Sequence, residues 1–199
     1  MKKPYFRKIA IALSLSLAMA LPTLSHAETY AIDDYTKGSH AFIQFRVKHL
    51  GMSWLYGRFD EFSGQFEFDA DSPDKNSISL SINTASVTTN HADRDKHIRS
   101  GDFLDVEKFP TATFESTSFT PSAGGGTLTG NLTLHGVTKE ISFDINHIGG
   151  GDDPWGGHRQ GFDGYITIQP NDYGIDMVGQ LGPAAAEVEM MLSIEGVRL

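Results

Sequence analysis

Apolar and polar residues alternate along most of this chain. Ala41, Ile43, Phe45 and Val47 alternate with Phe42, Gln44, Arg46 and Lys48. In an extended strand successive side chains point to opposite faces, so each set covers one face. Phe66 and Phe68 alternate with Gln65, Glu67 and Asp69, and Ile78, Leu80 and Ile82 with Ser77, Ser79, Ser81 and Asn83. Leu128, Leu132 and Leu134 alternate with Thr127, Thr129, Asn131 and Thr133. The same period recurs at Ile141, Phe143 and Ile145, at Ile166 and Ile168, and at Val188, Met190, Leu192 and Ile194. A weaker strand is predicted from Thr111 to Phe119. Turn chemistry falls between the runs, at Asp71-Ser72-Pro73-Asp74, Ser122 to Gly126, and His135-Gly136. One wet face and one buried face mark antiparallel sheet. About eight or nine strands joined by short connections predict a sandwich or an up-and-down barrel. A barrel has the advantage of leaving no exposed sheet edge.

One segment departs from the pattern. Residues 90–101 predict a short helix, with Asn90 as its N-cap and Asp93 in its first turn. His97 and Arg99 lie near its end, and Gly101 is placed to stop it in the left-handed region. A second short helix is predicted from Asp102 to Lys108.

The beginning of the chain changes the picture. Lys2, Lys3, Arg7 and Lys8 precede an apolar run from Ile9 to about Leu21, shorter than the ~20 residues that cross a bilayer. Pro22 ends it, and Ser25-His26-Ala27 fits a small-x-small cleavage site. Residues 1–27 therefore read as a cleaved signal peptide and 28–199 as one domain. There is no cysteine, so no lipidated N-terminus and no disulfide is available. The net charge is −9. All the charged residues of the first 27 are basic, so the remainder is more acidic still. That argues against nucleic-acid binding and against electrostatic docking on an anionic membrane. No later apolar stretch is long enough for a membrane-spanning helix, and no stable membrane insertion is expected.

Candidate chemistry is sparse. Asp93 and His97 share one helix face, and His91 and Asp95 another. Such pairs suit zinc, but two ligands do not complete a site. The competing reading is a set of helix-surface ion pairs, including Asp95 with Arg99. His40, His49, His135 and His147 lie at strand ends, where imidazoles serve either acid–base chemistry or hydrogen-bond networks. No Gly-x-Ser-x-Gly elbow and no thiol supplies a nucleophile. The stretch Gly149 to Gly157 precedes no helix, and Asp152 and Asp153 would repel phosphate. It reads as a hairpin loop with Trp155 as an aromatic plug. Phe42, Phe45, Trp54, Tyr56, Phe59, Phe62, Phe66 and Phe68 crowd a short span. Most read as core, yet an eight-stranded barrel either fills with side chains or holds one ligand.

Four ordered blocks resemble the YceI-like family of periplasmic polyisoprenoid-binding proteins. They are His40 to Gly64, Thr89 to Leu104, Gly130 to Lys139, and Gly150 to Gly157 with Gly161-Phe162. The block Ala184-Ala185-Ala186 looks individual to this chain. The resemblance implies an all-β fold: an extended eight-stranded antiparallel β-barrel, lipocalin-like, with one or two short helices in a loop. It implies a non-enzymatic periplasmic carrier of a long isoprenoid such as a ubiquinone or a polyprenyl phosphate. No metal or cofactor is implied, and a homodimer is expected because members are often dimeric. Ile43, Phe45, Val47, Phe66, Phe68, Ile78, Leu80, Ile82, Phe114, Leu132 and Leu134 would line the lipid tunnel. Trp54 and Phe103 join them as apolar contacts. Arg94, His97 and Arg99 would meet the polar head, or else the helix only plugs one end of the barrel. The alternative function is a hydrolase or other enzyme that acts on a bound lipid through His and Asp of the helix.

Overall fold

The computed structural model describes residues 27–32, 38 and 40–199. The predicted signal peptide lies outside the described residues, apart from Ala27. Among the described residues eleven strands form one sheet. They are β1 (Glu28–Ile32), β2 (Phe42–His49), β3 (Ser53–Phe59), β4 (Phe62–Phe68), β5 (Ser77–Asn83) and β6 (Val87–Thr88). After helix α1 (Ala92–Arg99) come β7 (Thr111–Ser122), β8 (Gly125–Leu134), β9 (Val137–Asp152) and β10 (His158–Ile168). A short helix α2 (Met177–Leu181) then precedes β11 (Val188–Arg198).

Six of these strands are halves of longer staves. β3 and β4 make one bent stave, and β5 and β6 another. Their pairing runs through the bend by the bonds Asp60 N to Ser86 O, 3.2 Å, and Asn83 N to Glu61 O, 2.9 Å. β1 and β2 lie end to end, both antiparallel to β11, whose Val188–Ser193 pairs with β2 and whose last residues pair with β1. With β7, β8, β9, β10 and β11 these make a closed eight-stranded antiparallel barrel. All pairings are antiparallel, as the clean alternation requires.

The upper end carries the β2–β3 hairpin, α1, the β8–β9 hairpin and the segment with α2. The lower end carries the β4–β5, β7–β8 and β9–β10 connections. Two upper hairpins turn on residues of positive φ: Leu50 at 53° with Gly51 at 72°, and His135 at 51° with Gly136 at 75°. Positive φ at both central residues matches the twist of paired strands, as in type I′ turns.

The wall is interrupted between β9 and β10. β10 pairs with β9 from His158↔Asp152 to Gly164↔Ile145 and no farther. Above that point β10 continues against β11 as far as Ile168, and β9 continues against β8 down to Val137. The two strands thus diverge into a seam. Its top is bridged where Lys139 Nζ meets Asp172 Oδ2 at 3.4 Å and His135 Nδ1 meets Tyr173 O at 3.1 Å.

Several local expectations need correction. The N-cap of α1 is His91, whose Nδ1 accepts from Arg94 N at 3.3 Å. Asn90 instead takes φ 63°, a value Asn tolerates better than most residues. Ser100 is the C-cap, so Gly101 does not end the helix. Residues 102–108 form turns, not a second helix. Gly149–Gly151 belong to β9, and Trp155 is 78% exposed at the hairpin tip, not a plug.

Candidate functional site

The inward alternates of the staves enclose an apolar lumen of about 640 Å³. That is mid-range for ligand cavities, which span ~300–1,000 Å³. Ile43, Phe45, Val47, Phe66, Phe68, Ile78, Leu80, Ile82, Phe114, Leu132 and Leu134 all line it, as does Phe103 from beyond α1. The outer faces of the same strands carry Ser79, Glu115, Thr127, Asn131, Glu140 and Asp144. An outer-membrane barrel has the opposite sense, apolar outside. Among the described residues no helix is long and apolar enough to cross a membrane.

The lumen stays open partly because some rings lie flat against the wall. Phe45 is paired with Gly57 on β3, and a Cβ built on Gly57 would come within 2.3 Å of Phe45 Cζ. Glycine there lets the ring lie down across the neighbouring strand. Gly196 lies under Phe66 in the same way. Gly57→Ala is expected to stand the Phe45 ring up into the lumen. Stability should fall by about 1 kcal/mol or less, because a ring can move where backbone cannot. Capacity for a long apolar ligand should fall far more, which titration with chains of graded length measures.

At the upper end the lumen meets His49 of β2, Asp93, Arg94, His97 and Ile98 of α1, and Leu104. Facing them are Ile175, Met177 and Leu181 around α2. Val47, Phe103, Ile175, Met177 and Ala185 form a buried cluster that closes most of this end. At the lower end Phe66 and Phe162 meet edge to face, 5.5 Å between centroids, and Phe162 also contacts the His147 ring at 5.0 Å. His147 Nε2 bonds Gln160 Oε1 at 2.7 Å, and Tyr30 donates to Glu28 Oε2 at 2.8 Å. Burial pushes the Tyr30 phenol pKa up, and its bond to Glu28 adds to the rise. These polar groups lie outside the lumen itself, which Glu67, Asn76 and Ser77 border at this end.

Helix α1 is pinned to β6 by a compact charge network. Asp95 is buried and accepts from Thr89 N at 2.8 Å and from Thr89 Oγ1. Arg94 donates to Thr89 Oγ1 at 2.7 Å and to Thr89 O at 2.6 Å. Arg99 donates to Ala85 O and Val87 O, both at 2.7 Å, standing in for a missing strand neighbour of β6. Burial raises the Asp95 pKa, but the Thr89 hydrogen bonds and the Arg99 and Arg94 charges outweigh it and leave it lowered. His97 Nε2 lies 3.0 Å from Asp102 Oδ2, and its ring packs edge-on to Phe103. Arg94 and His97 reach the lumen.

Two of the sequence-derived site residues do not line the lumen. Arg99 faces the β5–β6 bend, as described. Trp54 points outward from β3, with the Arg46 guanidinium 4.3 Å from its ring centre. Its neighbour Leu55 takes the inward position. The period of two supplies that answer, since Trp54 pairs with outward Lys48 and Leu55 with inward Val47. Ile175, Met177 and Leu181 had no comparable signal, because they come from a turn and a single helical turn. Among the described residues no group of three or more His, Asp or Glu is placed to hold a metal.

This fold and its lumen define a lipocalin-like barrel, and comparison with known proteins gives its family. The YceI-like domain matches residues 30–196, and the chain belongs to that family. It is 53% identical over 192 residues to a UPF0312 protein of Pseudomonas aeruginosa, covering 96% of this chain and 98% of that one. A UPF0312 protein of Ectopseudomonas mendocina is 55% identical over 174 residues, covering 86% and 88%. The Campylobacter jejuni YceI crystal structure matches with TM-score 0.66 and 27% identity, covering 76% of this chain and 89% of that one. A domain of Saccharophagus degradans, described as polyisoprenoid-binding, shares the fold with TM-score 0.60 and 16% identity, covering 85% and 98%.

Proposed function

We propose that this protein is a periplasmic binding and carrier protein for one long isoprenoid lipid, a ubiquinone-like molecule or a polyprenyl phosphate. The observation that carries this reading is the lumen, whose lining is overwhelmingly apolar. An isoprenoid tail has no polar group to satisfy, so such a wall suits it. Burying it yields ~25 cal/mol per Å² removed from water. The polyisoprenoid-binding description of the Saccharophagus degradans domain supports the same cargo class. In this reading residues 1–27 direct export and are removed. The role is to hold the lipid through water, not to transform it. Arg94 and His97, at the upper mouth, are the groups placed to meet a quinone or phosphate head.

Native mass spectrometry of the protein from its own host, followed by organic extraction, tests this. One isoprenoid per chain is the expected result, and the same spectrum gives the N-terminus and the number of chains per particle. A protein that is empty and also refuses added ubiquinone and polyprenyl phosphate would sink the reading.

The His97–Asp102 pair at the mouth favours a second reading, an enzyme acting on the bound lipid, because a carboxylate-oriented imidazole is a general-base arrangement. His97→Ala separates the two. The carrier retains its lipid in the variant, whereas the enzyme reading requires a turnover by the wild type that the variant loses.

A further inference from the structure

The β2–β3 hairpin projects from the upper end beside the mouth of the lumen, and its tip is apolar. Leu50 is 54% exposed and Met52 84%. Leu50 also sits at φ 53°, where Asn or Gly is favoured and a larger side chain carries a cost. Exposed, it gains little core packing to offset that cost. From Phe42 to Phe59 the sequence contains Arg46, Lys48 and Arg58 but no Asp or Glu, in a chain of net charge −9. Arg46 is paired with Glu189 and Arg58 with Asp60. Lys48 is exposed, with its Nζ 5.4 Å from the centre of the Trp54 ring. Tyr56 is 55% exposed on the same face. The hairpin therefore runs from an apolar tip to a belt of Trp, Tyr and Lys.

That order matches the layers of a phospholipid surface: acyl chains first, then the headgroup level where amphipathic rings and lysines settle. Two tip side chains are far too little for a stable protein interface, which buries ~1,200–2,000 Å². A bilayer needs no matching surface. The same hairpin lines the lumen with Val47, His49 and Leu55, so what the tip touches is next to the mouth.

We infer that this hairpin docks the upper mouth of the barrel on a phospholipid bilayer. Leu50 and Met52 enter the acyl boundary, and Trp54, Tyr56 and Lys48 lie at the headgroups. The docking goes beyond the cargo reading and does not depend on cargo. It is also compatible with the acidity of the chain as a whole, because charges farther than a Debye length, ~8 Å, are screened from the lipid surface.

The two tryptophans make the test directional, since Trp155 lies at the lower end, 78% exposed. Residues 28–199 contain every strand pairing described above and omit the apolar leader, whose own affinity for lipid would confuse the test. This chain is mixed with phosphatidylcholine vesicles carrying brominated acyl chains. With Trp155→Phe in place, Trp54 emission is expected to shift blue and be quenched. With Trp54→Phe in place, Trp155 emission is expected to stay unchanged. Leu50→Asn with Met52→Ser keeps a residue suited to positive φ and should lower vesicle partitioning at least about tenfold. Failure to float with the vesicles, quenching of Trp155 as strong as that of Trp54, or undiminished binding by the double variant would overturn the proposal. So would a dimer in solution that the double variant abolishes without any effect on vesicles, since the tip would then serve a second copy.

Discussion

Replacing Asp95 with Ala is expected to lower the unfolding free energy by about 3 kcal/mol, because it removes the acceptor of a buried network and leaves Thr89 N–H unpaired. For a chain of this size that corresponds to a melting temperature roughly 6–12 °C lower. The loss should be local first. Arg94 and Arg99 hold α1 to carbonyls of residues 85, 87 and 89, and without the carboxylate both lose the negative charge that balances them. Thermal melting and protease sensitivity of residues 89–104 measure the effect. Acid provides an independent check. The folded carboxyl has a lowered pKa, so its contribution is complete above the ordinary Asp value, ~3.9, and disappears as pH falls through the lowered folded value. In Asp95→Asn the acid-induced loss of stability should be smaller than in the wild type. An equal loss in both would place the acid sensitivity elsewhere.

Placing a charge in the lumen is expected to have the largest effect on ligand retention. Leu132→Glu puts a carboxylate on the inward face of β8 among apolar side chains. A bound isoprenoid would have to desolvate it, at a cost of several kcal/mol, so retention should fall about 100-fold or more. Asn131→Glu, one residue away on the outer face, should leave retention unchanged. Burial by the ligand disfavours the charged carboxylate, so acidification should restore part of the lost binding. Lipid extracted from the two variants purified side by side gives the answer. Equal retention by both would mean that no ligand passes this level of the barrel.

The contrast between those neighbours shows how much of the site was legible in the sequence. Alternation placed the lining of the straight staves correctly, because a half-buried strand repeats every two residues and the core demands the repeat. Counting Trp54 as an apolar contact overrode the same alternation, which on β3 sends Trp54 outward and gives the inward place to Leu55. What alternation does not encode is closure of the ends. Ile175, Met177 and Leu181 cover the mouth from a segment with no period, and Arg99 binds carbonyls that only the bent β5–β6 stave brings near. The cap of α1 followed a general preference for Asn, yet the backbone at Asn90 takes a positive φ and His91 does the capping. The seam between β9 and β10 has no sequence mark, since both strands keep their alternation through the region where they part.

The position of β11 in the wall has a consequence for how the barrel can form. It is the stave against which β10, β2 and β1 all pair, and it follows every one of them in the chain. Until it arrives, the other strands make an open sheet with an uncapped edge at β10 on one side and at β1 and β2 on the other. Vectorial delivery, one residue after another from the N-terminus, therefore cannot yield a closed lumen partway through. The same dependence leaves any product cut short of residue 188 with two sticky edges, the form of a β-sheet most exposed to aggregation and proteolysis.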